Sequence, residues 1–391
     1  TGTAGGGRGG FGGGGGAGGT GIGGFGGGGG ARLPSTFGSN PGGFGGGTGF
    51  GGTSFDIGGG GGMGAGGAAF VRAGGSLTLI DPVFAGTVSA TGGASGGGQA
   101  TAGQGIGQGL FLGGTTTLTV SAGNTLTLGG SDFVGGRGTQ PASADPTNDA
   151  VGPLFKAGTG TLVLGGPNSY AGGTAVTAGT LRAANPTGSA TGPGAVTVAS
   201  GGMLAGGTGG GSASPFADST QGFLAGPVTV QSGGAVAPGA GGPGLLTVTG
   251  SVTFQTGSAF AVDLATKNAR VGAAPADVNT YDRVKTAADI LFGAGLEVDV
   301  NGGGQAFTPG GTYDFFIGRD AGTVGGLPAS VTIVPTNFAS PVSPNDFVLS
   351  RSADLHSLIL TFTPVPEPGS LLLAAAAAVA ALVRRRAQSR A

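Results

Sequence analysis

The chain has 391 residues, of which 99 are Gly and 22 are Pro, a share at which an aperiodic chain is suspected of low complexity. Only 8% of the residues are charged and they cancel to a net charge of −1, so no basic stripe is present to neutralise phosphates, and a nucleic-acid partner is disfavoured. With no Cys, no Trp and a single His, His356, the chain also lacks the means for disulfide frameworks, thiolate metal sites and most imidazole-dependent chemistry.

Residues 1–69 form a Gly-rich low-complexity segment that includes GGFGGGGGAGGTGIGGFGGGGG. It has no strict Gly-X-Y period, which argues against a collagen-type helix. Ordering a backbone costs about 1–2 kcal/mol per residue, and Gly has no side chain to offset the loss. This predicts a disordered arm, ordered only where Phe11, Phe25, Phe44, Phe50 and Phe55 find an apolar surface.

From about Phe70 the texture changes. SLTLI (76–80), TLTV (117–120), TLTL (125–128), TLVL (161–164), AVTVA (195–199), PVTVQ (227–231) and LLTVT (245–249) alternate apolar residues with Thr or Ser. That is the period of a pleated strand. Gly, Ser, Asn and Pro between the runs supply turns. Three segments align without gaps: VTVASGGMLAG from Val196, VTVQSGGAVAP from Val228 and VTFQTGSAFAV from Val252. Leu162 and Leu181 mark a second self-similar pair. Units of this size cannot bury an apolar face alone, whereas stacked units share one core. The expected fold is all-β, a parallel β-solenoid over 70–265; a β-sandwich with Gly-rich loops is the competing reading, disfavoured by the repeated corner. Residues 266–363 carry Lys267, Arg270, Asp277, Asp282, Arg283, Lys285, Asp289, Glu297 and Asp299, and read as a C-terminal β region that caps the stack.

The last residues, 364–391, differ in kind. Pro366-Glu367-Pro368 cannot continue a ladder. Residues 369–383 are uncharged and rich in Ala and Leu, predicting a short apolar helix, and Arg384-Arg385-Arg386 follow. At 1.5 Å per residue such a helix spans about 22 Å, short for a bilayer core, and the Arg cluster fits a cytoplasmic end.

This order of motif, apolar helix and Arg cluster resembles the PEP-CTERM sorting domain of Gram-negative bacteria. The resemblance implies that Pro366, Glu367 and Pro368 are the sorting motif, that 369–383 is a transient single-pass inner-membrane anchor, and that Arg384, Arg385 and Arg386 are the membrane stop. It further implies an exosortase-type membrane protease and the secretory machinery as partners, and a cell-surface or extracellular destination. The segment 154–181, LFKAGTGTLVLGGPNSYAGGTAVTAGTL, is similar to the autotransporter-associated β-strand repeat, with Lys156, Gly158, Thr161, Leu162, Asn168, Tyr170, Gly172, Gly173, Thr174 and Leu181 on its pattern. That likeness implies a passenger-like β-helix, right-handed as parallel crossovers are. No C-terminal barrel follows the repeat, so the export route is expected to be the tail's. The chain starts at Thr1 with no apolar leader, and a truncated or processed N-terminus is expected.

Catalysis on such a scaffold needs converging carboxylates. Between 70 and 265 the acidic residues are Asp81, Asp132, Asp145, Asp149, Asp218 and Asp263, and none recurs at a coil period. The expectation is a non-enzymatic structural or adhesive protein without cofactor or metal, in contact with exopolysaccharide or the cell envelope. The alternative is a specific carbohydrate-binding module, for which Tyr170 and Tyr313 are the candidate glycan contacts.

Overall fold

The computed structural model describes residues 14–18, 20–32, 38–51, 57–136, 151–208, 222–239, 241–264, 281–304, 307, 311–319 and 321–365. Two long parallel sheets dominate them. Sheet I takes, in chain order, Ser76–Ile80, Thr115–Thr119, Leu154–Ala157, Thr174–Val176, Val196–Val198, Val228–Val230, Val252–Phe254 and Ile290–Phe292. Sheet II takes Thr125–Leu128, Thr161–Leu164, Gly179–Ala183, Gly202–Ala205, Ala235–Ala237, Ser258–Asp263, Gly295–Asn301 and Ser330–Thr336. Each strand pairs in parallel with the strand of the rung before and the rung after. Eight strands at ~4.8 Å make each sheet about 34 Å long. Among the described residues there is no α-helix, and the arrangement is compatible with a β-solenoid.

The repeats determine the register. Val196 pairs with Val228 and Val228 with Val252, while Met203 pairs with Ala235 and Ala235 with Ala259. Leu162 pairs with Leu181. Equivalent positions of the repeats therefore stack on one another, and the inward set, including Leu162, Leu181, Val196, Val228 and Val252, lies in one continuous core. The corner from sheet I to sheet II turns on a left-handed Gly at Gly201, Gly233 and Gly257, with φ of 78°, 74° and 78°. Their amides link rung to rung: Gly201 N–H donates to Gly233 O at 2.8 Å and Gly233 N–H to Gly257 O at 2.7 Å. A side chain there is strained by the backbone angle alone.

The change in composition at residue 265 is not a change in fold. Sheet II continues in parallel through Gly295–Asn301 to Ser330–Thr336, and Ile290–Phe292 extends sheet I. A third sheet joins Gly222–Leu224, Gly244–Val248, Arg283–Thr286 and Tyr313–Arg319 in parallel. The pairing turns antiparallel at both ends of this sheet, through Gly207–Thr208 on Gly244–Val248 and through Phe347–Arg351 and Leu358–Phe362. This end is closed by aromatic rings as well as by polar residues: Phe307, Phe338 and Phe347 gather around Phe362, with Phe347 stacked on it at 4.4 Å. Ser330–Thr336 ends sheet II. Pro335 offers no N–H there, which blunts an edge that another chain could otherwise extend.

The Gly-rich segment overturns the disordered reading wherever it is described. Gly23, Gly26 and Gly29 donate to the carbonyls of Pro41, Phe44 and Gly47. Gly15 and Gly18 donate to Gly28 and Ala31, Gly61 and Gly64 to Thr101 and Gln104, and Gly93 and Gly96 to Gly62 and Gly59. Every one of these ladders steps in threes, the repeat of an extended helix with three residues per turn. The segments lie so close that a Cβ on Gly28 would overlap the Gly60 carbonyl, and one on Gly43 the Gly24 carbonyl. Backbone hydrogen bonds between segments replace the missing side chains. Phe25 and Phe44 find the apolar surface they need in a second small core with Ile106 and Phe111, against which Met63 and Phe70 pack. Phe11 and Phe55 lie outside the described residues.

Candidate functional site

The residues that carry the repeat within 154–181 are consumed by the fold. Lys156 is fully buried at the corner between the two sheets, and its Nζ donates to the carbonyls of Ala157 (2.9 Å), Gly158 (2.6 Å) and Ala178 (2.9 Å). Burial pushes its ammonium down to about 8. Asn168 reaches two neighbouring rungs at once: Oδ1 accepts from Val134 N–H at 2.8 Å and Nδ2 donates to Ala190 O at 2.6 Å. Asn185 plays the same part further on, donating to Gly188 O and accepting from Phe223 N–H. Each of these side chains satisfies backbone groups that a sharp corner leaves without sheet partners.

The two candidate glycan contacts are corrected by their burial. Tyr170 is 0% exposed, its hydroxyl held by Thr174 Oγ1 at 2.7 Å and its ionisation pushed beyond the usual tyrosine range by burial. Tyr313 is 9% exposed and stands in the aromatic end cluster against Phe307 and Phe362. Neither offers a ring face to solvent. Corner residues escape a period-two reading, because they belong to neither face of a strand.

A buried carboxylate was not singled out by its sequence. Asp282 is 1% exposed and accepts from Gly244 N–H at 2.6 Å and Asp263 N–H at 3.1 Å. Burial first, and then the Asp263 charge, raise its ionisation well above the usual carboxylate range. Asp263 in turn accepts from Asn301 Nδ2 at 2.7 Å, and Asn301 Oδ1 from Asn337 Nδ2 at 3.0 Å. This polar ladder climbs the last rungs of sheet II. His356 sits in an exposed turn, with Nδ1 2.8 Å from Ala321 O. Among the described residues no group of three His, Asp or Glu could hold a metal ion.

The sorting residues Pro366, Glu367 and Pro368, the apolar helix expected over 369–383 and the stop Arg384, Arg385 and Arg386 lie outside the described residues. Among the described residues no helix is long and apolar enough to cross a membrane.

With the geometry in place, two family models match the chain. Residues 154–183 match the passenger-associated-transport-repeat, the segment whose Lys156 and Asn168 bind rung to rung. Residues 364–387 match the PEP-CTERM protein-sorting motif. Both features named from the sequence are thus present, at the positions expected. A sorting motif there points to export and to exosortase-dependent handling. No curated protein matches the chain.

Proposed function

We propose that this is an exported structural or adhesive protein of the cell surface, whose stacked sheets form a right-handed parallel β-solenoid and whose tail is a transient membrane anchor processed by an exosortase-type protease. The observation that carries the reading is the sorting motif at 364–387, set directly after the last strand of a stacked β body. A non-catalytic role is supported by how the conspicuous polar residues are used: Lys156, Asn168 and Asp282 each spend their hydrogen bonds on backbone. Exopolysaccharide or the cell envelope is the proposed partner of the body.

Deleting Pro366–Pro368 tests the sorting half. The expected outcome is retention in the inner-membrane fraction of the producing cell, with an unprocessed C-terminus by mass spectrometry. Normal release of the deletion mutant removes the sorting claim.

A further inference from the structure

The outward faces of the two long sheets differ in charge. On sheet II the outward positions include Arg182, Asp263, Glu297 and Asp299. On sheet I the outward positions of all eight strands carry no charged residue. The register places them in one column: Thr78, Thr117, Phe155, Ala175, Thr197, Thr229, Thr253 and Leu291. The hydroxyls of Thr117, Thr197, Thr229 and Thr253 make no hydrogen bond with another described residue, so they are available to a ligand.

The column is interrupted at one place, and there the surface is concave. Ala175 lies between Phe155 on one neighbouring strand and Thr197 on the other. Its small side chain, with Gly172 and Gly173 beside it, leaves a shallow groove of about 250 Å³ walled by Pro153, Ala195 and Thr197. Phe155, half-buried and facing outward, does not line the groove but pairs directly with Ala175 from the next strand. An aromatic ring, free hydroxyls and no charge are the chemistry that receives the apolar face and the hydroxyls of a neutral sugar ring. The volume falls below the ~300 Å³ at which pockets begin to enclose drug-sized ligands, so the groove fits a single ring of a longer chain.

We propose that the groove at Ala175, walled by Thr197 and flanked by Phe155, is a binding site for one ring of a neutral polysaccharide whose chain runs along the Thr column of sheet I. The site rests on the surface-exposed reading above, which brings the body into contact with exopolysaccharide. It also supplies the aromatic contact that Tyr170 and Tyr313, being buried, do not.

The test is a titration of the purified chain with cellohexaose, xylohexaose and maltohexaose as neutral probes and with hexagalacturonate as the anionic one, followed by calorimetry or NMR up to about 10 mM. At least one neutral hexasaccharide is expected to bind and the anionic one is not. Phe155→Ala and Ala175→Arg, each checked for an unchanged circular dichroism spectrum, are expected to weaken binding about tenfold or more. Thr180→Arg, on the outward face of sheet II in the same rung, is expected to leave it unchanged. The proposal is overturned by failure of every neutral probe to bind, by stronger binding of the anionic probe, by wild-type affinity in both groove variants, or by equal loss in Thr180→Arg. A dimer that Ala175→Arg disperses, without sugar binding, makes the face a self-contact and overturns it too. The titration and cell fractionation fail separately: an unexported protein that still binds sugar sinks the export reading alone.

Discussion

The Gly-rich segment and the stacked rungs solve one problem in two ways. In the rungs, ladders repeat every second residue and Leu, Val and Phe fill the space between the sheets. In the Gly-rich segment, ladders repeat every third residue and little besides Phe25, Phe44 and Met63 needs burying. The first kind of order rests on apolar area removed from water, about 25 cal/mol per Å². The second rests on close approach and on backbone groups satisfied by the next segment. A high Gly content is therefore a statement about which period the backbone uses.

Leu162→Asp breaks the rungs hardest. The side chain is fully buried and stacked between Leu126 and Leu181. An uncompensated buried charge costs about 3–5 kcal/mol, so a sharp loss of thermal stability is expected across the rungs, followed by circular dichroism. An unchanged melting curve contradicts the inward assignment.

Gly28→Ala breaks the other region. Its new Cβ overlaps the Gly60 carbonyl, and overpacking of this kind costs about 1–3 kcal/mol. Hydrogen exchange is expected to accelerate at the amides of Gly26 and Gly29 while those of Val196–Val198 keep their protection. Loss of protection in both regions at once means that they do not hold their order separately.

The smallest effect sharpens the comparison within the rungs. Asp282 holds its proton more tightly folded than unfolded, where a carboxyl ionises near 3.9. The folded chain thus binds more protons above that pH, and the residue's contribution is fully present below it and is lost as pH rises through the raised value. Asp282→Asn, neutral at every pH, is expected to flatten that downward slope in Tm as the pH rises above about 4. The same slope in the variant assigns it to another group.

Much of the rung structure is legible from particular residues. Gapless alignment of VTVASGGMLAG, VTVQSGGAVAP and VTFQTGSAFAV yields the ladder register directly, because a repeat that stacks must pair like with like. The sorting tail is legible because its three parts are ordered along the chain. The Gly-rich order is missed because Gly has no side chain to mark a period. One signal is nonetheless present: Phe25, Phe44 and Met63 recur every 19 residues, each between glycines, the same interval as Leu162 to Leu181. The groove at Ala175 escapes for another reason. It exists only once Phe155 and Thr197, 42 residues apart in the chain, stand on the strands either side of Ala175.

The matched pairing of Val196, Val228 and Val252 has a consequence for ancestry. Each unit answers only to the one on either side, so copying or losing a whole unit in the gene lengthens or shortens the molecule without disturbing the units that stay. How long the stack is becomes a quantity that heredity can adjust by counting.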